Sequence, residues 1–384
     1  MSDNRLRVGI DFHVVDGKFQ GSRTHVIELF AQAIELAPDT DFYLFLDRPD
    51  SLASLHPAFG RPNVHPVRMP AANPFKRLYW LLPRLCREHA IDIVHTQYVL
   101  PWPASCRRVV TIHDILFETH PQFFTRFFVL RSRALMRLAA RTADHVFTVS
   151  AFCKDEIARL YGVPPVDITV LHNGADLQRF HAGDAGLAEV NARGLASKGF
   201  ILSVGRLEPR KNHQSLVEAY ARLGADAPPL VLVGQRDFHF AGVFDAIARH
   251  GLQDRVKLLE NVSDTELPAL YRHARIFAYP AFAEGFGMPP LEAMASGTAV
   301  ISSATTAIPE VIGSAGVLID PEDVGALAEA LRRLLASPEE CARLAEAGQA
   351  RAVTFSWRES AQRTLAVYQR LAGRSSTSKQ ERLA

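Results

Sequence analysis

The stretch FILSVGRLEPRKNHQSLVEAYARLG (200–224) joins an apolar run to an amphipathic segment through a charged turn. The run at 200–206 predicts a buried strand. The segment at 213–224 repeats apolar residues at helical spacing and predicts a helix. A strand followed directly by a helix is part of a βαβ unit, which indicates a parallel sheet in this part of the chain.

The same alternation runs through most of the chain in two successive series. In the first series the predicted strands are 7–12, 42–46, 64–69, 92–96, 108–114, 145–150 and 168–173. In the second series they are 200–206, 229–234, 256–260, 275–281, 298–303 and 316–320. Helices are predicted between the strands, and three more close the chain at 322–336, 339–353 and 357–372. This pattern predicts an α/β protein with two doubly wound parallel sheets.

Length and composition predict two domains. A chain of 384 residues exceeds the usual single core, and domains of roughly 150–200 residues are common. The stretch 177–199 has no clear strand, so the boundary is placed there. We expect an N-terminal Rossmann-like domain over 1–178 and a C-terminal one over 179–356. Helix 357–372 is expected to pack back on the first domain, with a disordered tail over 373–384.

Two such domains are expected to face each other across a cleft, with ligands beyond the carboxyl ends of the strands. The net charge of +2 gives no general attraction to nucleic acid. The four cysteines are scattered without a CxxC pair, which argues against a zinc knuckle or a disulfide scaffold. The N-terminus has no apolar signal core, and no stretch reaches the roughly 18–20 apolar residues of a spanning helix. We therefore expect a cytoplasmic protein.

Two cations follow the predicted strand at 200–206. Arg206 ends that strand, and Lys211 comes after a short turn, just before a helix predicted to begin near Asn212. A guanidinium, an ammonium and a helix N-terminus at one point form an anion site suited to a diphosphate. The alternative is ordinary surface charge, although Arg and Lys seldom flank a helix start this closely.

The loop YPAFAEGFGMPPLEAMASG (279–297) places two carboxylates eight residues apart around a glycine turn. Glycines let the backbone approach a ligand and expose its N–H groups, and the paired prolines suit the first turn of a helix. Glu284 and Glu292 can accept hydrogen bonds from hydroxyl groups such as those of a sugar and a ribose. For Glu292 the alternative is a carboxylate favoured by the first helical turn.

Together the two segments resemble the donor-binding motifs of the family 4 glycosyltransferases, which have the GT-B fold. In that family an Arg and a Lys follow the first strand of the C-terminal domain, and a Glu-x7-Glu motif comes later. The pattern matches Arg206 with Lys211, and Glu284 with Glu292. The resemblance extends over nearly the whole chain and is strongest over 200–320. It is specific for the family and weak for the substrate.

The resemblance implies a role for each matched residue. Arg206 and Lys211 bind the donor diphosphate, and Glu292 binds the ribose. Glu284 holds the hydroxyls of the transferred sugar. The neighbouring positions that complete this sugar site are Gly285, Phe286, Gly287 and Met288.

Further positions are carried over from the family. Val262, in the segment LLENVSDTELPALY, resembles the backbone contact at the nucleobase edge. His113, at the end of a predicted strand, matches a histidine near the reacting centre and is the catalytic candidate of the first domain. A lone histidine is more often structural, but this position favours a function. Gly21 and Ser22 resemble the first-loop glycine that approaches the diphosphate, although the family more often has two adjacent glycines.

The family reaction retains the anomeric configuration and needs no metal cofactor. In this reaction Arg206 and Lys211 neutralise the departing diphosphate, and the acceptor attacks on the same face. Glu284 then positions the sugar and is not a nucleophile. His113 orients the acceptor or hydrogen-bonds the sugar. The only Asp-x-Asp motif, at 39–41, is expected in a helix-to-strand connection at the wrong end of the sheet. HExxH motifs and Cys/His clusters are absent from the sequence.

Three other readings stay open. A nicotinamide dehydrogenase is disfavoured because neither domain opens with GxGxxG. Another GT-B enzyme, such as a phosphorylase, a sugar synthase or an epimerase, would share the motifs. A non-catalytic protein that binds nucleotide sugars is disfavoured by the intact cations and glutamates.

The donor and acceptor are named only by class. GDP-mannose is the favoured nucleotide sugar, with UDP-sugars and dTDP-rhamnose close behind. The acceptor is expected to be a glycan or a lipid-linked molecule of the kind used in bacterial surface polysaccharides. The segments 73–87 and 123–141 combine aromatic residues with arginines, which predicts basic amphipathic helices that lie on anionic membranes. The alternative is that their apolar faces pack on the sheet.

Overall fold

The computed structural model of the chain describes residues 5–16, 21–237 and 240–373. Within these residues the strands are β1 (Leu6–Asp11), β2 (Thr40–Leu46), β3 (Val64–Arg68), β4 (Ile93–Gln97), β5 (Arg107–Thr111), β6 (His145–Thr148), β7 (Ile168–Val170), β8 (Ile201–Val204), β9 (Leu230–Val233), β10 (Val256–Leu259), β11 (Ile276–Tyr279), β12 (Ala299–Ser303) and β13 (Val317–Ile319).

The helices are α1 (Gly21–Leu36), α2 (Pro74–Lys76), α3 (Leu82–Glu88), α4 (Leu116–Thr119), α5 (Arg126–Thr142), α6 (Ala151–Tyr161), α7 (Leu187–Ala192), α8 (His213–Ala221), α9 (Ala241–Arg249), α10 (Glu266–His273), α11 (Met288–Ala295), α12 (Ile308–Ile312), α13 (Val324–Ala336), α14 (Pro338–Ala352) and α15 (Trp357–Ala372). A π-helical segment, Arg77–Leu81, joins α2 to α3.

The strands form two parallel sheets. The described strands of the first sheet run in the order β3-β2-β1-β4-β5-β6-β7, and those of the second in the order β10-β9-β8-β11-β12-β13. In each sheet the chain order reverses once, between β1 and β4 and between β8 and β11. This is the doubly wound α/β class predicted from the sequence, and it defines one topological switch point in each sheet.

Every predicted strand is present, but several end earlier than predicted. Strand β8 ends at Val204, so Arg206 lies two residues beyond it. Strand β5 ends at Thr111, and the prediction that it continues to Asp114 is wrong. Ile112 lies just beyond the strand end, is fully buried, and still donates its N–H to the Phe147 carbonyl of β6 at 2.8 Å. The apolar run therefore overstates the strand, because the chain stays buried for residues that follow Thr111, the last residue of β5.

The Asp-x-Asp motif at 39–41 lies at the amino end of β2, and its last two residues belong to the strand rather than to a connection. Asp41 lies 3.2 Å from Arg5 and 3.2 Å from His65. This carboxylate is therefore part of a local ion-pair cluster. Ligands of a parallel sheet bind at the opposite edge.

The chain forms two compact units. Unit 1 contains the described residues up to Asn173 together with those from Ser356 onward, and unit 2 spans Gly174–Phe355. Helix α15 packs against α1 in unit 1. Tyr368 of α15 is fully buried, and its hydroxyl lies 2.5 Å from His95 Nδ1. The predicted tail falls outside the described residues after Gly373.

We expect a chain that ends at Phe355 to lose the fold of unit 1. Seven residues of α15 are buried in the native structure. Loss of one large buried side chain costs about 2–5 kcal/mol, and a domain has about 5–15 kcal/mol of stability in total. Urea unfolding followed by far-UV circular dichroism should therefore show only the transition of unit 2.

A chain that ends at Gly373 is the control, since it keeps α15 and should unfold like the full chain. Native-like ellipticity and two intact transitions in the shorter chain would contradict the assignment of α15 to the core of unit 1.

Candidate functional site

Two loops meet the switch point of unit 2. One loop follows β8 and leads into α8, and the other follows β11 and leads into α11. Because the strands are parallel neighbours, both loops leave the same edge of the sheet. A doubly wound sheet binds its ligands at this edge, where connections diverge to opposite faces. These two loops carry the two motifs identified in the sequence.

Asn212 fixes the first loop to its neighbours. This residue precedes α8 and has a left-handed backbone, with φ of 57°. Asn is one of the few residues that tolerate this conformation. Its side-chain amide donates to the carbonyl of Pro280 at 3.0 Å and to that of Pro321 at 2.8 Å. The start of α8 is thereby tied to the loop after β11.

Lys211 and Glu284 form a buried ion pair. The Lys211 ammonium lies 2.5 Å from Glu284 Oε1, and the two side chains are 12% and 11% exposed. Lys211 also donates to the Tyr279 hydroxyl at 2.6 Å, and that hydroxyl donates to Glu284 Oε1 at 2.8 Å. The structure thus brings together two residues that the sequence placed in separate motifs.

Arg210 completes this cluster, and the sequence analysis missed it. Its Nη1 donates to Glu284 Oε1 at 2.9 Å and to the Ala283 carbonyl at 2.7 Å. Its Nη2 donates to Glu208 Oε1 at 2.6 Å. The only available signal was a second cation beside Lys211. A turn that short does not reveal which of two neighbouring side chains points inward.

The cluster holds Glu284 ionised. Burial alone raises the pKa of this carboxyl, but the charges of Arg210 and Lys211 outweigh burial and lower the pKa to about 2. Burial lowers the pKa of Lys211, and Glu284 opposes that shift. Burial and the Glu284 charge raise the pKa of the Tyr279 hydroxyl. Glu284 is therefore a hydrogen-bond acceptor at every physiological pH.

Arg206 is more accessible. Its Nη1 donates to Asp237 Oδ2 at 2.9 Å, and the side chain is 41% exposed. Asp237 follows β9, the strand next to β8. The guanidinium therefore stands, partly exposed, at the carboxyl edge of the sheet.

Glu292 lies beyond the first turn of α11. It is the fifth residue of that helix, so the interpretation as a first-turn carboxylate is wrong. The Tyr271 hydroxyl donates to Glu292 Oε2 at 2.8 Å. Burial raises the pKa of Glu292 to about 7, against the lowering effect of Tyr271. Near neutral pH this carboxyl is present in both its ionised and its protonated forms.

A row of aromatic rings supports both carboxylates. Tyr271 and Phe277 have centroids 5.4 Å apart, and those of Phe277 and Tyr279 are 5.9 Å apart. Tyr271 bonds Glu292 at one end of the row, and Tyr279 bonds Glu284 at the other. Rigid, buried rings give each carboxylate a fixed position.

The turn between the two glutamates depends on glycine. Gly287 has φ of 116°, and a Cβ there would lie 2.7 Å from Ile308 Cδ1. Phe286 is buried beside it, and Met288 begins α11. Gly285 is also buried. The backbone from Gly285 to Met288 therefore forms the turn that leads into α11, and its approach to a ligand stays a prediction.

Val262 lies in the loop between β10 and α10 and is half-buried. It is therefore two strands from the switch point, in the order β10-β9-β8. Its contact with a base stays a prediction. Within the part of the chain that the structure describes, no group of three His, Cys, Asp or Glu side chains could hold a metal ion.

The remaining predicted residues lie in unit 1. His113 follows β5, is 8% exposed, and its Nε2 lies 2.7 Å from Gln97 Oε1. The His25 ring is 4.6 Å from the His113 ring. Burial, followed by the charges of neighbouring histidines, lowers the pKa of His113 well below its usual value. Gly21 and Ser22 begin α1, and their approach to a diphosphate stays a prediction.

Comparison with known proteins decides the family. Residues 19–179 match the Glycosyltransferase Family 4 domain, and residues 191–351 match the domain of glycosyl transferases group 1. O-antigen chain mannosyltransferase B of Escherichia coli is 33% identical over 269 residues, which are 69% of this chain and 71% of that protein. The chain belongs to glycosyltransferase family 4. It is an enzyme that uses a nucleotide sugar, and the resemblance seen in the sequence is confirmed.

Other relatives of this glycosyltransferase extend the comparison. MMP alpha-(1->4)-mannosyltransferase of Mycolicibacterium hassiacum is 33% identical over 246 residues, which are 62% of this chain and 57% of that protein. Among solved structures, sucrose-phosphate synthase of Thermosynechococcus elongatus has a TM-score of 0.76 at 22% identity, with 96% of this chain and 99% of that chain covered. HepE of Anabaena, in complex with UDP and glucose, has a TM-score of 0.75 at 21% identity, with 95% and 100% covered. The fold is GT-B.

We expect the raised pKa of Glu292 to appear in the pH dependence of folding. A carboxyl whose folded pKa lies above its unfolded pKa contributes stability below the unfolded value of 4.5, and that stability is lost as pH rises through about 7. Compared with Glu292→Gln, the wild type should lose about 3 kcal/mol of unfolding free energy between pH 4.5 and 8. Chemical denaturation across that range measures this difference.

Glu266→Gln is the matched control in unit 2. Its hydrogen bonds with Arg193 lower the pKa of Glu266, so the difference from wild type should have the opposite sign and shrink as pH falls. Equal pH profiles for wild type and Glu292→Gln would show that Glu292 titrates normally.

Proposed function

We propose that this enzyme transfers mannose from GDP-mannose to a glycan or lipid-linked acceptor in the biosynthesis of a surface polysaccharide. The observation that carries the proposal is the buried Lys211–Glu284 pair, which joins the loops after β8 and β11 at the switch point. The choice of mannose is supported by the E. coli O-antigen and Mycolicibacterium relatives, both of which are mannosyltransferases by name.

In the proposed reaction, the bond between the anomeric carbon and the diphosphate oxygen breaks first. The negative charge that develops on the diphosphate is stabilised by Arg206, by Lys211 and by the free N–H groups at the start of α8. Lys211 has three donors, of which Tyr279 and Glu284 take two. The third donor is proposed to make the first contact with a phosphate oxygen, before the diphosphate draws the ammonium away from Glu284.

The sugar is proposed to bind over the glycine turn. Glu284 accepts a hydrogen bond from a sugar hydroxyl, and the backbone from Gly285 to Met288 supplies N–H donors, including those of Phe286 and Gly287. The acceptor hydroxyl attacks on the face from which the diphosphate leaves, and the departing phosphate oxygen takes its proton. This path retains the anomeric configuration and needs neither a strong protein base nor a metal ion.

The nucleoside and the acceptor use the remaining residues. Glu292 is proposed to hold the ribose hydroxyls, and the backbone of Val262 the base edge. In unit 1, His113 is proposed to orient the acceptor or to hydrogen-bond the sugar, with Gly21 and Ser22 at the diphosphate. Because His113 is neutral, its Nδ1 can accept a proton when Nε2 donates to Gln97.

We expect Lys211→Ala to lower kcat/KM for GDP-mannose by about 10²–10³-fold, the usual effect of removing one charge-stabilising donor. Arg206→Ala should have a smaller effect, about tenfold or more, because this side chain is partly exposed and already pairs with Asp237. Transfer of radiolabelled mannose, with UDP- and dTDP-sugars tested in parallel, measures both.

Arg255→Ala is the control for these variants. Arg255 precedes β10 at the opposite edge of the sheet and donates to the carbonyls of Gly224 and Ala227. Arg255→Ala should keep the wild-type rate. Separately, EDTA should leave the rate of the wild-type enzyme unchanged. Full turnover and unchanged GDP affinity in the double variant of Arg206 and Lys211 would exclude this site as the donor site.

Peripheral membrane contact is the other part of the proposal. None of the helices in the described ranges combines the length and apolar character needed to cross a bilayer. Helix α5 buries only part of its apolar surface, since Phe127, Leu130 and Leu138 are between 60% and 75% exposed. Near α2, Phe75 and Trp80 are exposed to a similar degree. Exposed aromatic residues among arginines are typical of helices that lie on anionic lipid.

We expect the enzyme to co-sediment with vesicles that contain phosphatidylglycerol more than with neutral vesicles, and less as salt increases. Replacing both Trp80 and Phe127 by Ser should weaken this binding about tenfold or more, since each large side chain contributes about 1.5–3 kcal/mol on burial. Val166→Ser is the control, because Val166 is 74% exposed but lies outside both segments. Binding that ignores lipid charge would contradict the proposal.

A further inference from the structure

Arg210 occupies a position that neither the motif nor the proposed chemistry uses. Its guanidinium is 16% exposed and bonds residues of both loops, Glu208 on its own side and Ala283 and Glu284 on the other. Its backbone carbonyl also accepts from the N–H of Phe282 at 2.9 Å. Arg210 therefore joins the loop that carries the cations to the loop that carries the carboxylate.

Glu284 Oε1 is the shared acceptor of three donors. Lys211, Arg210 and the Tyr279 hydroxyl all lie within 2.9 Å of this one oxygen. A carboxylate oxygen has about two lone-pair directions, so three donors compete for it. The number of donors around Glu284 Oε1 therefore exceeds its lone-pair directions by one.

This competition matters because Lys211 is proposed to bind the donor diphosphate as well as Glu284. A diphosphate that binds the ammonium draws it away from Glu284, since phosphate oxygens make strong charge-assisted hydrogen bonds. Glu284 would then be a carboxylate, 11% exposed at its side chain, that has lost one of its two cations. An unpaired buried carboxylate is costly and tends to take up a proton.

We infer that Arg210 is a positioning residue that keeps Glu284 ionised and in place while Lys211 engages the diphosphate. The guanidinium stays charged at all accessible pH values and offers a rigid fork of donors. Glu208 holds the other arm of that fork, so the guanidinium cannot follow Lys211 toward the phosphate. This inference rests on the proposed donor site. It assigns the diphosphate to Lys211 and the support of Glu284 to Arg210.

The groups that face Glu284 are few. Glu208, Arg210 and Lys211 come from the turn after β8, Tyr279 comes from β11, and Thr306 Oγ1 accepts from the Glu284 N–H at 3.0 Å. When Arg210 is removed and Lys211 turns to the diphosphate, Tyr279 and Thr306 carry no compensating charge. Protonation of Glu284 then becomes easier in the donor complex.

The test compares kcat/KM for GDP-mannose across pH in wild type, Arg210→Gln and Arg210→Lys. We expect Arg210→Gln to lower the rate about 10–100-fold, with a deficit that grows as pH falls. The measured quantity is the ratio of variant to wild type, in which any titration of Glu292 cancels. Arg210→Lys restores the charge and should flatten the ratio, although it lacks the fork.

A double-mutant cycle with Glu284→Gln separates a positioning role from general loss of structure. If Arg210 acts through Glu284, Arg210→Gln should cause little further loss in the Glu284→Gln background. A ratio that is constant across pH, or fully additive effects, would overturn the inference. Thermal unfolding and circular dichroism verify that each variant is folded, with Arg255→Gln as a control for loss of a structural arginine in unit 2.

The outcomes also distinguish this inference from the proposed function. If Glu284→Gln and Lys211→Ala keep full activity, the donor site itself is wrong. If both are inactive while Arg210→Gln follows the wild-type pH profile, only the role of Arg210 fails. If the enzyme does not turn over GDP-mannose, the same comparison is made with the UDP-sugar or dTDP-sugar that it does accept.

Discussion

The buried ion pair of Lys211 and Glu284 is the constraint on which the site depends. Two charges removed from water are stable only when further hydrogen bonds satisfy them, because desolvation opposes their attraction. Tyr279 and Arg210 supply those bonds. Asn212 in turn keeps the two loops at the distance that the pair requires. A local electrostatic requirement therefore determines the geometry of both loops.

The same unit holds two carboxylates in opposite electrostatic states. Glu284 is surrounded by cations and has a pKa of about 2, whereas Glu292 faces a neutral phenol and has a pKa of about 7. They are eight residues apart in sequence and belong to one motif. Their environments make one a permanent acceptor, while the other can also donate a proton near neutral pH.

The sequence was sufficient for the fold and for the family, since apolar periodicity located every strand and the charged positions after β8 and β11 matched one motif. It did not reveal Arg210 or Tyr279, because the direction of a side chain in a tight turn depends on tertiary packing. It also placed the end of β5 too late, because Ile112 remains buried and hydrogen-bonded to Phe147 beyond the end of the strand. The raised pKa of Glu292 follows from burial, which spacing alone does not determine.

Helix α15 has a consequence for the order in which the chain matures. It is the last described helix, yet it belongs to unit 1, whereas unit 2 is continuous in sequence from Gly174 to Phe355. During synthesis on the ribosome, domains generally fold from the N-terminus onward. Here the second unit has all its residues before the first has received its final helix. The first unit must therefore wait, with the surface of α1 that receives α15 uncovered, until the whole of unit 2 has been synthesised.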